Sequence, residues 1–431
     1  MKKPADIKIC FNAMVKNEAP TIERMLNSVW EYIDYWVIQD NGSEDGTQQI
    51  IENFFKEKGI PGFWYQIYEW KGHGWNRDHT LQTALKAEHG CDWILRVDAD
   101  EQLEVDEEFD WQPFRDTSIQ SFNITASAGN SLYYRTWIWN AKLPWFFAHD
   151  LAHETIHLKD VGESFQRVAL PNSIRHIITN DGMTWNKPMK FLKDALNLEM
   201  TKVTTNEVLT NNYHLWYIGK SYNDSYGNPS DFPFGMDHAK EYARRTIFYF
   251  EMYLNKIHNY SKTNTPVRYD DMGFYAMMLI GNAYKFLGNF DKALDSYDRA
   301  NEFQPKRNEA TWQKCILLEE MGEYEEMMRV SFSMVKPIAA NKNPFPNSVF
   351  LIDSGVYYDT SAEPYWLHIK ALNYLGKSIE DEIEYMKKRY PSLPQHIIDG
   401  LNRLNSSEEP AVLQPTEFNP LTLTGVFGIT K

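Results

Sequence analysis

The sequence predicts an α/β domain followed by an all-α domain, and three observations carry that expectation. Over residues 6 to about 100, short runs rich in Ile, Val, Trp, Tyr and Phe alternate with segments of helical period, as in a sheet with helical crossovers. From about 237 to 400 the period is helical throughout. Between them, residues 227–235 hold Gly227, Pro229, Ser230, Asp231, Pro233 and Gly235, a composition suited to a hinge. The chain has 431 residues, 43% of them hydrophobic, which is ample for separate cores and excludes wholesale disorder. A net charge of −15 disfavours nucleic acid and anionic lipid as partners while leaving sugars and nucleotides open. Three scattered cysteines, Cys10, Cys91 and Cys315, fit neither a disulfide framework nor a zinc pattern, so a reducing, cytoplasmic setting is expected. No apolar run approaches the ~18 residues of a membrane span.

Strands are expected at 7–15, 35–39, 63–69 and 92–97, each closing on polar residues. Between the first two, Ile22, Met25, Leu26, Val29 and Ile33 recur at helical spacing, with Pro20 and Thr21 where a helix would begin. Strand, helix and strand in this order call for a right-handed crossover. In the helical half, Ile280, Gly281, Ala283, Tyr284, Gly288, Phe290, Ala293, Tyr297, Ala300 and Pro305 sit at the offsets of a tetratricopeptide repeat, whose unit is ~34 residues. Gly322 follows Gly288 by that interval and Tyr324 matches Phe290. A third, more degenerate copy carries Trp366, Leu375-Gly376-Lys377, Tyr385 and Pro391 after an insertion around 338–361. The expected organisation is an α/β domain at 1–226, a linker and connecting helix at 227–273, helical repeats at 274–400 and an extended tail at 401–431. The tail, with Pro410, Pro415 and Pro420, leaves a homodimer contact open.

The chemistry collects at the strand ends. The run Trp93-Ile-Leu-Arg-Val-Asp98-Ala-Asp100-Glu101 ends in two carboxylates one residue apart, and residues i and i+2 of an extended chain point the same way. Asp98 and Asp100 can therefore address one ligand, such as a divalent cation on a diphosphate. The second strand runs into Asp40-Asn41-Gly42-Ser43-Glu44-Asp45-Gly46-Thr47, where Gly42 and Gly46 permit a tight turn and close backbone approach. Val15-Lys16-Asn17-Glu18 ends the first strand, and Gly74-Trp75-Asn76-Arg77-Asp78 lies ahead of the fourth. In an open α/β sheet these loops face one crevice beyond the carboxyl ends. A glycine-rich phosphate loop of Rossmann or P-loop type is absent from the sequence, which leaves a metal and Arg77 to manage phosphates.

Asn17-Glu18, the 40–47 motif, Arg77 and Asp98-Ala-Asp-Glu101, in this order, resemble glycosyltransferase family 2 over roughly residues 6–105. The resemblance implies a GT-A fold and a donor site holding a nucleotide-diphosphate sugar, a UDP-sugar first, with Asn17, Glu18, Asp40, Gly42, Arg77 and Asp98 at the donor. By it, Asp40 would contact the nucleobase, Asp98 the ribose or metal, and Asp100 a Mn²⁺ or Mg²⁺ on the diphosphate. Asp78 departs from the Asn common in relatives. Further along, His153-Glu154 and Tyr213-His214 are similar to a branch that joins such a domain to tetratricopeptide repeats, the bacteriocin peptide S-glycosyltransferases. That likeness implies a strand ending at His214 as third metal ligand, and Glu154 as the base that deprotonates the acceptor, with Asp150 and Asp181 as competing bases. Inversion is expected by the same analogy. The acceptor, whether peptide, protein or glycan, would be held with help from the repeats.

Two other readings compete. His153-Glu154-Thr155-Ile156-His157 fits His-Glu-x-x-His, which on a helix would make a zinc peptidase site. The β-branched Thr155 and Ile156 favour a strand instead. Alternatively the repeats are a peptide-binding scaffold and the α/β domain is vestigial. Of the aromatics between Tyr133 and Phe147, most are expected in the core.

Overall fold

The computed structural model describes residues 3–128, 131–148, 154–159, 167–179, 181, 188–200, 212–228, 235–261, 268–335, 352–353, 356–357 and 361–405. Asp150, His153, most of the hinge, most of the 338–361 insertion and the tail beyond 405 lie outside these residues. The chain forms two compact units, 1–207 and 208–431.

The first unit is an α/β sheet. Its elements are β1 (Ile9–Val15), α1 (Ile22–Val29), β2 (Tyr35–Asp40), α2 (Thr47–Lys58), β3 (Gly62–Gln66), α3 (His73–Lys86), β4 (Trp93–Arg96) and β5 (Glu101–Val105). They continue with β6 (Ser121–Ala128), β7 (Ser131–Asn140), β8 (Trp145–Phe147), β9 (Ile156–Leu158), β10 (Arg167–Ala169), β11 (Ile174–Ile178) and α4 (Lys190–Leu198). Strand order is β3-β2-β1-β4-β7-β6-β11-β5. β3, β2, β1 and β4 are parallel, so Gln66, Asp40, Val15 and Arg96 end on one edge. The chain steps outward from β1 to β3 and then returns across β1 to β4. With right-handed crossovers that reversal puts α3 on the face opposite α1 and α2, and opens a crevice between β1 and β4.

Strand period sorts the core accordingly. Ile9, Phe11 and Ala13 of β1 pack with Met25, Leu26 and Phe55 on one face. Cys10 joins Leu81, Ala84, Trp139 and Trp145 on the other. Asn12, on this second face, donates to Val37 C=O at 3.0 Å and Thr80 Oγ1 at 2.9 Å, which ties α3 to the sheet. Asp78 Oδ1 accepts the Phe147 N–H at 3.0 Å and so anchors β8 against α3. Its carboxylate has an architectural task that an amide oxygen could also perform.

The described part of the second unit is built on helices, α5 (Asn212–Gly227), α6 (Met236–Ser261), α7 (Arg268–Phe286), α8 (Phe290–Phe303), α9 (Glu309–Met321), α10 (Tyr324–Val335), α11 (Glu363–Tyr374), α12 (Glu380–Arg389) and α13 (Gln395–Asn405), with one two-residue strand at Ile352–Asp353. The repeat glycines end their helices alike. Gly288, Gly322 and Gly376 have φ of 76°, 74° and 62°, and the N–H that follows each returns to a carbonyl five residues back, Asn289 to Tyr284, Glu323 to Leu318 and Lys377 to Leu372. This left-handed closure strongly favours glycine. Among the described residues no helix is long and apolar enough to cross a membrane.

One expected strand is a helix. Tyr213-His214 open α5, where Leu215, Ile218, Tyr222 and Tyr226 recur at helical spacing, all buried, and Trp216 Nε1 donates to Met272 C=O at 3.1 Å. α5 therefore belongs to the helical unit, whereas the sequence reading had closed the first domain at 226.

Gly281 is a tight packing point of the repeats. A Cβ built there would lie 2.4 Å from the Tyr297 ring, whose hydroxyl donates to Asn282 at 2.8 Å. Gly281→Val should therefore lower the stability of the helical unit by about 3 kcal/mol, read as a shifted urea midpoint.

Candidate active site at the carboxyl edge of the sheet

The loops after β1 and β2 are stitched together by the motif residues themselves. Ser43 Oγ accepts the Asn17 N–H at 2.8 Å, and Asn17 Oδ1 accepts the Glu44 N–H at 2.8 Å. Thr47 Oγ1 accepts the Glu18 N–H, and Asp45 accepts the Ala19 N–H, both at 2.9 Å. Asn17 sits at φ 53°, a conformation that Asn tolerates better than most non-glycine residues. Asp40 is fully buried: Oδ1 accepts the Gly42 and Ser43 N–H groups at 2.9 Å each and Gln48 Nε2 at 3.0 Å, while Oδ2 accepts the Ser43 hydroxyl. Asn17, Glu18, Asp40 and Gly42 thus share the work of shaping one rigid double loop. Tyr68, which no sequence argument singled out, lies against it. Its ring is 3.4 Å from where a Gly42 Cβ would stand, and Tyr68 is 80% exposed.

A charge cluster occupies the end of β4. Arg96 Nη2 reaches Asp98 at 2.8 and 3.1 Å. Arg77, from the first turns of α3, reaches the same carboxylate at 3.2 and 3.4 Å and is ion-paired through Nε with Glu154. Burial alone would lower the Arg77 pKa, but Asp98 and Glu154 outweigh it and the guanidinium is held above its ordinary value. His73, beside this cluster, is pushed down by burial and stays neutral near pH 7. Behind it, Arg135 of β7 binds Glu101 at 2.6 Å and Tyr133 Oη at 2.9 Å. The Arg96 and Arg135 guanidiniums lie 4.9 and 4.3 Å from the centre of the Trp137 ring. Burial pushes the Glu101 carboxyl up to about 8, against the opposing pull of Arg135.

His176 of β11 completes the inner layer, edge-on to Trp137 at 4.5 Å and with Nδ1 3.8 Å from Glu101. It is fully buried, and that burial pushes it down to about 3. The folded state thus keeps His176 neutral while the unfolded chain gains a proton below the ordinary value of 6.5. The resulting stability is present above that pH and lost progressively as pH falls from it toward 3, at ~1.4 kcal/mol per unit. Between pH 7 and 5 wild type should lose about 2 kcal/mol relative to His176→Phe, a difference in which the opposite titration of Glu101 cancels, measured by urea unfolding of both proteins at both values.

Asp100 lies just beyond, part-exposed, with its backbone carbonyl accepting the Thr179 hydroxyl. Thr179 also bonds Asp181 at 2.7 Å, and Arg24 reaches Asp181 at 2.6 and 2.7 Å. The hydrogen bonds from Arg24 lower the Asp181 pKa, which makes this competing candidate a weak proton acceptor. Among the described residues no three of His, Cys, Asp and Glu converge as a ready metal cage. His214 is buried on α5, on the helical unit, instead of at a strand end. The His-Glu-x-x-His pattern is not helical either: His157 lies in β9, paired with Phe146 of β8, so the one-turn spacing of a zinc helix does not form. Trp137, Trp139, Trp145 and Phe147 are core, as expected.

The sequence reading brought Arg77, Asp98, Asp100 and Glu154 forward, and the structure joins Arg77, Asp98 and Glu154 directly. It gave no role to Arg96, Glu101, Arg135 or His176, although Glu101 closes the Asp-Ala-Asp-Glu motif and Arg96 stands i, i+2 from Asp98 on an extended strand.

Residues 13–108 match the family model described as Glycosyl transferase family 2. Among curated proteins, the chain is similar to uncharacterised glycosyltransferases of Rickettsia bellii, 34% identical over 96 residues, and Rickettsia felis, 32% identical over 96 residues. Each match covers 22% of this chain, and 29% and 30% of those proteins respectively. A family 92 glycosyltransferase of Arabidopsis thaliana is 29% identical over 100 residues, 22% of this chain and 16% of its own length. The chain thus matches less than a third of the length of these relatives. Among solved structures, a crystal structure of MamA is similar at 15% identity and a TM-score of 0.29, covering 50% of this chain and 92% of that one.

Proposed function

We propose that the protein is a glycosyltransferase that moves a sugar from a nucleotide-diphosphate donor, a UDP-sugar first, to an acceptor held with help from the helical repeats. The observation that carries this reading is the coincidence of the family match at 13–108 with the strand-end loops and with Asp98 and Asp100. The double loop of Asn17, Glu18, Asp40 and Gly42 is suited to the nucleoside end. Tyr68 offers an exposed ring face above Gly42. Stacking there is worth about 1–3 kcal/mol per base, so Tyr68→Ala should weaken nucleoside diphosphate binding about tenfold and Tyr68→Phe should not, by calorimetry.

Arg77 supplies the cation for the diphosphate. Asp98 already faces two guanidiniums, and the part-exposed Asp100 beside it is the better match for a divalent ion. Mg²⁺ or Mn²⁺ needs only one or two carboxylates when phosphate oxygens and water complete its shell, so Asp100 suffices as the protein ligand. When bound, the ion would supply positive charge to the departing diphosphate. In the transfer, an acceptor lone pair forms the new bond to the anomeric carbon, and the bond to the diphosphate oxygen breaks with its electrons. The acceptor proton passes to Glu154, with inversion at carbon. A thermal-shift panel of nucleotide sugars with Mn²⁺ tests the reading: one donor should raise the melting temperature by mass action, and a flat panel at millimolar donor would contradict it.

A further inference from the structure

Arg77 is one cation between two carboxylates that serve the two halves of the proposed reaction. Its Nη atoms reach Asp98, at the donor end, and its Nε is paired with Glu154, the base for the acceptor. The side chains of Arg77 and Glu154 are only 15% and 12% exposed, so water and salt screen this pair less than a surface pair. Asp98 has a second and closer guanidinium in Arg96, itself packed on Trp137. Arg77 can therefore turn toward an incoming phosphate without leaving Asp98 uncompensated. Glu154 would lose its guanidinium partner in the same movement.

Resting on the donor reading above, we propose that Arg77 is a latch between the donor site and the base. The diphosphate competes with Glu154 for the Arg77 guanidinium, and donor binding thereby releases the Glu154 carboxylate to take the acceptor proton. While Arg77 holds it, the Glu154 carboxylate is taken up by the guanidinium and is not presented to an acceptor. The base is thus withheld until the donor is in place.

The latch makes an uncommon demand on binding. Removing the charge of the base should tighten the donor product, because the diphosphate no longer competes for Arg77. Calorimetric titration of UDP, GDP and dTDP in the presence of Mn²⁺ into the full chain tests this. Glu154→Gln is expected to bind the preferred diphosphate roughly three- to tenfold more tightly than wild type. Glu154→Asp, one methylene shorter, should give part of the gain and serves as the second variant if the glutamine lowers the melting temperature. In Arg77→Lys, which offers a point charge in place of a planar fork, binding should weaken and the gain from Glu154→Gln should shrink. Unchanged or weaker binding by both Glu154 variants, with wild-type binding intact, overturns the latch and leaves the donor reading standing. Wild-type protein that binds none of the three diphosphates removes both.

Discussion

Asp100→Asn is expected to lower sugar transfer by at least about a hundredfold while leaving the melting temperature within a degree or two of wild type. The substitution keeps the shape of the side chain and removes its charge at the acidic pair that follows β4. Asp98 cannot take over, since its oxygens are held at 2.8 to 3.4 Å by Arg96 and Arg77. Asp100 is part-exposed, so little packing is lost, and stability is insensitive to the change. Rates measured against Mn²⁺ concentration separate a weakened ion site, which excess Mn²⁺ partly rescues, from a lost one. Transfer within threefold of wild type would remove Asp100 from the site.

Glu154→Gln is the second large effect. A general base contributes ~10²–10⁴ in rate, so transfer should fall by that range. The direction of the accompanying change in donor affinity is what distinguishes this variant. A residue that merely supported the fold would weaken donor binding and turnover together. With Glu154 paired to Arg77, turnover falls while the donor KM stays level or drops. Steady-state rates at saturating acceptor, with donor varied, show which pattern holds.

Much of the first unit was legible because its information is local. The four parallel strands show as β-rich runs, and their observed carboxyl ends lie within one residue of expectation at β1, β2 and β4 and three short of it at β3. The repeat glycines were legible for a similar reason, since the left-handed helix ending at Gly288 and Gly322 recurs with the repeat. The inner charge layer was not. Arg135 and His176 come to Glu101 only because β7 lies beside β4 and β11 beside β5, an order that no local period encodes. The motif of 40–47 was read as a ligand loop, yet Ser43, Glu44, Asp45 and Thr47 bond the loop at 17–19 and Asp40 bonds its own turn; residue type announced the turn but not its partners. α5 was misassigned because a Tyr-His pair was matched to a strand end while the helical spacing of Leu215, Ile218, Tyr222 and Tyr226 passed unused.

On the proposed function, the edge formed by the loops after β1, β2 and β4 is a donor site for sugar transfer. The most direct measurement is nucleoside diphosphate release from a panel of UDP-, GDP- and dTDP-sugars with Mn²⁺, for wild type and Asp100→Asn side by side. Release from at least one donor by wild type, falling to the buffer rate in the variant, is the expected result; equal release by the two proteins, or none from any donor, would contradict it.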